Sequence, residues 1–193
     1  IEALAFQAAV ALRRIHNQQR DQSDLFERLR VLETFESVSR RMSSTLDVDV
    51  IAADVLDAAV PVVGAEAARC VLILSDVDAH IGARFDPYHM HTPEILAINR
   101  RLGLVGETLR TKEPVVLQDV SQGAAPIDMS LAARSVLAVP ILREGTVGVL
   151  IFESAQPFAF SEEHKQFVIT LARHAAIALD NAQLYQQVRA GRD

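Results

Sequence analysis

The chain has 193 residues, half of them apolar, with 19 Lys and Arg against 25 Asp and Glu and a single cysteine. Its formal charge of −6 lacks the basic footprint that phosphate neutralisation demands, and clusters such as Arg13-Arg14 and Arg100-Arg101 are only two cations deep, so nucleic acid is not an expected partner. Cys70 alone excludes an intrachain disulfide, no apolar run approaches the roughly 18 residues of a membrane span, and no basic-then-apolar leader opens the sequence. The expected setting is the cytoplasm, with no membrane contact.

The first forty residues contain neither Gly nor Pro. Leu4, Ala8, Ala11, Ile15, Gln18, Gln22, Leu25, Leu29 and Leu32 recur in alternating steps of four and three, a heptad seam interrupted by two glutamines. One reading is an amphipathic helix covering its own core; the other is a helix that also pairs with a second copy of itself. A rod about 60 Å long exceeds what one small core needs, which favours pairing. Ile1 opens inside this pattern, as the interior of a longer protein would.

Asp47, behind Ser43-Ser44-Thr45, is placed to cap a helix that Pro61 and Gly64 stop. Cys70 to Leu74 reads as a strand buried on both faces, with His80 to Phe85 as its antiparallel partner. Asp86 to Pro93 is a polar loop, and Glu94 to Leu102 reads as a helical patch ending at Gly103. Leu104 to Arg110 gives one or two helical turns, and Pro114 to Leu117 a short edge strand. Ser121 to Ser130 is a loop, and the runs Ser135 to Leu142 and Thr146 to Phe152 form a hairpin through Arg143-Glu144-Gly145. Ser161, followed by Glu162 and Glu163, caps a long helix reaching about Ala190. Helices flanking a strand-rich middle predict an α+β fold with an antiparallel sheet.

The two ends echo each other. Leu4 to Leu12 matches Leu171 to Leu179 at a constant offset of 167, identical or β-branched-for-β-branched at seven of nine positions. Alanine-rich helices can match by chance. The alternative is that the first segment is the last helix of a preceding, similar domain in a tandem array.

Four stretches, taken together, resemble the GAF domain, a sensory fold of signalling proteins. They are Gly103-Leu104-Val105-Gly106-Glu107; Pro114 to Val120; Ser135 to Ile141 with Gly148-Val149-Leu150; and Ala175 to Tyr185. The resemblance covers about Asp24 to Val188. It implies a central antiparallel sheet, with long N- and C-terminal helices on one face and short helices and loops forming a pocket on the other (a GAF/PAS-like α+β fold). It divides the chain into 1–23, the terminal helix of a preceding domain with a connecting signalling helix; 24–190, the GAF domain; and 191–193, the start of a linker.

The specialised pocket chemistries of that family each require residues that the sequence lacks. Cyclic-nucleotide binders carry Asn-Lys and Asp-Glu pairs, but here Arg100 follows Asn99 and no Asp-Glu pair occurs. Haem sensors place an axial histidine before the strand that here ends in Val139-Pro140, yet Gly123 to Pro140 contains none. Bilin attachment needs a loop cysteine, and sulfoxide reduction needs a pair of thiols; Cys70 falls inside a strand. His89 and His91, with Asp86 and His80 nearby, are too few and too scattered for an expected metal site. No nucleophile–base spacing, Gly-x-Ser-x-Gly turn or phosphate loop is present.

The expectation is therefore a non-catalytic sensory module without cofactor or metal. It would bind an unidentified small molecule and relay through a homodimer of its terminal helices to an output domain in the same chain. A purely structural dimerisation module with a collapsed pocket is the alternative. Arg84, Tyr88, His89, Asp128 and Arg134 are the candidate pocket residues. Arg84 and Arg134 would hold a carboxylate or phosphate, or else form ordinary ion pairs with Asp86 and Asp128. Leu25, Leu29, Leu32, Leu171, Ala178 and Tyr185 are the expected dimer positions.

Overall fold

The computed structural model describes residues 37, 40–42, 44–73, 78–85, 95–97, 103–122, 133–143 and 145–190. The chain divides into two compact units, Ile1–Ser37 and Val38–Asp193, and the second carries every element that follows. The heptad seam, with Leu25, Leu29 and Leu32, lies outside the described residues, as does the N-terminal half of the echo.

Helix α1 spans Val48–Val63. Asp47 is extended, so its side chain turns back on the first helical turn and accepts from the backbone N–H of Asp49 at 3.0 Å and of Val50 at 3.3 Å. Two of the donors that a helix start leaves unpaired are thereby satisfied. Gly64 ends the helix in the left-handed conformation, φ 65°, donating to the Val60 carbonyl oxygen, a geometry that side chains resist. Pro61 was expected to help stop the helix but sits inside its last turn, with its ring exposed. So close to the end, its missing N–H removes one hydrogen bond rather than breaking a rod.

Among the described residues six strands form one sheet in the order β3-β2-β1-β6-β5-β4. They are β1 (Ala67–Ile73), β2 (Asp78–Phe85), β3 (Ile95–Ala97), β4 (Val115–Leu117), β5 (Ser135–Arg143) and β6 (Gly145–Ser154). Every neighbouring pair is antiparallel. The expected partnership of β1 with β2 and the β5–β6 hairpin are both present, and β4 is the expected edge. The helical patch expected at Glu94 to Leu102 is corrected: Ile95, Leu96 and Ala97 pair with His80, Ala79 and Asp78 as an edge strand. A nine-residue patch is too short to hold a helix alone, and the open edge of β2 satisfies the backbone groups of Ile95 to Ala97 instead.

Alternation gives the sheet two faces. One carries Val71, Val136, Ala138, Val149 and Ile151, packed beneath Leu104, Val105 and Leu109 of α2 (Gly103–Thr111). The other carries Cys70, Leu72, Leu137, Val139, Leu150 and Phe152, all buried. Over that face α1 packs on β1 and β2, α3 (Glu162–Ala190) packs on β5 and β6, and the two helices touch. The backbone approaches closely there. A Cβ on Gly148 would lie 2.7 Å from the Val71 carbonyl oxygen. One on Gly82, beside the register shift of β2, would lie 2.6 Å from Leu72 Cδ1 and 3.1 Å from Ala52 Cβ of α1.

Helix α3 begins at a reciprocal cap. The His164 N–H donates to Ser161 Oγ at 3.2 Å, and the Ser161 N–H donates to His164 Nδ1 at 3.4 Å. Histidine here takes the place that Glu or Gln has in a capping box. The positions expected to extend the dimer seam along this helix need correction. Leu171 and Ala178 are buried in the domain's own core, because the apolar stripe they define is the one that rests on the sheet. Among the described residues of this helix the large exposed apolar positions are Ile177 at 50%, Leu184 at 52% and Tyr185 at 51%, of which only Tyr185 was anticipated.

Candidate functional site

The α2-facing side of the sheet is apolar at its centre and charged toward one margin. Arg69 of β1 lies opposite Ile151 of β6, and Glu153 lies one pair further along, opposite Ala67. The two side chains meet diagonally: Arg69 Nη1 is 2.9 Å from Glu153 Oε1, with Arg69 18% and Glu153 2% exposed. Glu153 Oε1 makes this ionic contact without accepting a hydrogen bond. A carboxylate so deeply buried is tolerated only with a cation beside it, and stripping away that cation costs on the order of 3–5 kcal/mol.

Arg84 joins the same face. It pairs directly with Arg69 across the β1–β2 ladder, and residues paired in register share a side of the sheet. The structure thus brings Arg84 together with Arg69, not with Arg134. Arg134 immediately precedes β5, and two strands, β1 and β6, separate β5 from β2. In register Arg84 lines up with Arg69, Ile151 and Ala138, so three inter-strand steps and four residues along the chain place the two arginines roughly 20 Å apart.

Arg134 has its own task. Its Nε and Nη2 donate to Asp119 Oδ1 at 3.2 and 3.1 Å, and Nη2 also reaches Asp119 Oδ2 at 3.1 Å and Ser121 Oγ at 3.3 Å. The Val120 N–H donates to the Arg134 carbonyl oxygen at 2.8 Å. Together these bonds tie the two ends of the segment from 120 to 134. Hydrogen bonds from the Ser121 hydroxyl and backbone N–H, and then from Arg134, hold the Asp119 carboxyl below its ordinary value. Arg134 therefore forms an ion pair, but with Asp119; the expected partner, Asp128, lies outside the described residues. Tyr88, His89 and Asp128, like Asp86, lie outside the described residues.

Two further titratable groups singled out in the sequence, His80 and Cys70, face the helices, and His91 lies outside the described residues. His80 pairs with Leu72 in register and places Nε2 2.9 Å from Asp49 Oδ1 of α1. Cys70 is fully buried between Ala83 and Leu150. Desolvation, reinforced by the charge of Asp49, pushes its thiol up to about 12, so it is an inert core group. Among the described residues no three His, Cys, Asp or Glu side chains converge as a metal site would require. None of their helices is long and apolar enough to cross a membrane.

Arg69 and Glu153 escaped the sequence reading. The available signal was a charge at the end of each of two otherwise apolar strands, Arg69 just before Cys70-Val71-Leu72-Ile73 and Glu153 just after Val149-Leu150-Ile151-Phe152. Ends of strands are commonly solvated, and only the pairing register shows that these two meet.

A family model for the GAF domain matches residues 45–180. The fold is similar to that of the GAF domain of an Acinetobacter phosphoenolpyruvate-protein phosphotransferase: TM-score 0.67, 20% identity, 79% of this chain and 94% of that one. It is also similar to a free methionine-R-sulfoxide reductase from Neisseria meningitidis in complex with its substrate, with TM-score 0.70, 16% identity and coverage of 80% and 91%. Residues 122 to 287 of a methyl-accepting chemotaxis protein give TM-score 0.65 and 16% identity, over 77% of this chain and 98% of that one. With a domain model spanning 45–180 on an antiparallel sheet whose two faces carry different layers, this chain belongs to the GAF domain family.

Proposed function

We propose that the chain is a non-catalytic sensory module of a cytoplasmic signalling protein. It binds a small molecule on the α2-facing side of the sheet and relays its presence through a homodimer of helices to an output domain in the same polypeptide. The observation that carries this reading is the contrast between the two faces. The α1/α3 side has an apolar centre whose ion pairs, His80–Asp49 and Arg143–Asp180, stay partly exposed, whereas the α2 side places a buried Arg69–Glu153 pair at the margin of an otherwise apolar layer. Buried charge adds little stability compared with apolar packing, so recognition is a better reason for it than folding. Arg84 shares this face of the sheet with Arg69, whereas Arg134 is engaged by Asp119.

The relay side is α3, which carries Ile177, Leu184 and Tyr185 on an exposed stripe suited to a second copy. Solved structures of a chemotaxis protein segment and a phosphotransferase domain share the fold, which agrees with a signalling role. The fold also occurs in a sulfoxide reductase, so the non-catalytic reading rests on this chain's residues: its one thiol is buried and held protonated. A ligand-free structural module is favoured by one observation, the direct packing of Leu104, Val105 and Leu109 onto the sheet. Native mass spectrometry of freshly purified protein separates the two. Retained small-molecule mass supports the sensor, and a bare polypeptide mass that no metabolite screen shifts supports the structural module.

A further inference from the structure

We propose that the Arg143–Asp180 ion pair sets the strength of self-pairing along α3, so that the end of the β5–β6 hairpin controls the relay helix. This rests on the homodimer reading above and names what regulates that interface. Arg143 is the last residue of β5, opposite Gly145 at the start of β6. Its Nε lies 2.8 Å from Asp180 Oδ2, with the two side chains 38% and 30% exposed. Asp180 follows Ile177 by three residues and precedes Leu184 by four, so all three share one side of the helix. The hairpin therefore grips α3 beside the stripe offered to a second copy.

Thr170, Arg173, Ile177, Asn181 and Leu184 are all exposed and recur in steps of three and four, the spacing along which a helix packs against an equivalent helix. Its two apolar members, Ile177 and Leu184, meet apolar side chains of a second copy whether the two helices run parallel or antiparallel about this stretch. Either way Asp180, midway between them, approaches its own equivalent. Asp180 is half-buried at the border between this stripe and Ala176 of the core, and charges that flank a seam decide which helices pair. Two bare carboxylates there repel. Arg143 of the same copy cancels that charge, so each protomer offers a neutral flank while the hairpin stays docked on α3. A shift of the sheet at the hairpin end would part the pair, uncover both carboxylates and loosen the dimer. The sheet thereby acts on the relay through charge, and the helix need not leave its core contacts.

The test is sedimentation equilibrium of the intact chain. It compares the dimer dissociation constant of the wild type with those of Arg143→Gln and of Arg143→Gln combined with Asp180→Asn. The first variant should raise the constant about fivefold, the scale of two partly exposed ion pairs per dimer, while keeping the native circular dichroism. Added salt should narrow that gap, because it screens the repulsion. The double variant, which leaves no bare carboxylate, should return to the wild-type value. A purely structural ion pair predicts instead that the double variant stays as weak as the single one, and that result overturns the proposal. So does an Arg143→Gln dimer as tight as the wild type, which leaves the homodimer reading standing. A wild-type chain that remains a monomer overturns both.

Discussion

At Gly148 there is no room for a methyl group, because the neighbour at 2.7 Å is the Val71 carbonyl oxygen, which is fixed by the ladder between β1 and β6. At Gly82 the nearest atom is the terminal methyl of Leu72 at 2.6 Å, which can rotate away. Gly148→Ala should therefore cost about 1–3 kcal/mol and Gly82→Ala distinctly less, read as the shift in urea midpoint. Equal losses would mean that backbone and side-chain obstacles yield alike here. A second residue-scale consequence concerns acid. The Asp119 carboxyl titrates below its ordinary value in the folded chain, so its contribution is complete above the unfolded value and is lost as pH falls through the lower folded one. Asp119→Asn should flatten that stretch of the acid-unfolding profile. With Arg134 44% and Asp119 11% exposed, the network is partly screened by solvent and should change it only modestly. An unchanged profile would leave the Arg134–Asp119–Ser121 cluster without a role in acid stability.

The elements begin where small polar side chains can turn back onto helix starts. Asp47 serves α1 and Ser161 serves α3, and replacing either by alanine should cost about 1 kcal/mol. Differential scanning calorimetry would show both losses. His164→Ala should reproduce part of the Ser161 effect, since the imidazole returns the bond. Both caps were legible because capping depends on residues adjacent in sequence. Strand β3 was not legible. Ile95, Leu96 and Ala97 suit a helix as well as a strand, and the open edge of β2 decided between them. Pro61 misled in the opposite direction, since a proline that normally ends helices is tolerated in a final turn that Gly64 closes.

Across the whole molecule, α3 has two apolar stripes and only one is spent on the core. Leu171, Ala175, Ala178, Leu179 and Ala182 are buried, while Ile177, Leu184 and Tyr185 remain half-exposed. Ile177→Asp with Leu184→Asp should convert a dimer to a monomer in sedimentation velocity while leaving the circular dichroism native. Surface changes of this kind disturb folding by only about 0.5 kcal/mol. Leu171→Asp should unfold the domain instead. A wild-type chain that sediments as a monomer would remove self-pairing from the mechanism.

Periodicity, caps and glycine positions are local properties, and by themselves they determined an α+β chain with an antiparallel sheet, its hairpin, its edge strand β4, the short capped helix α1 and the long capped helix α3. They also placed Arg84 at a strand edge and Cys70 in the core. Tertiary structure decided what lies next to what. Arg84 meets Arg69 rather than Arg134 because sheet order sets β2 beside β1 and away from β5. Glu153 meets Arg69 because a register of Ala67 with Glu153 brings a diagonal pair within reach. Leu171 and Ala178 turn inward because a helix of 3.6 residues per turn can present only one stripe to the sheet, and theirs is the continuous one, buried with Val168, Ala175, Leu179 and Ala182.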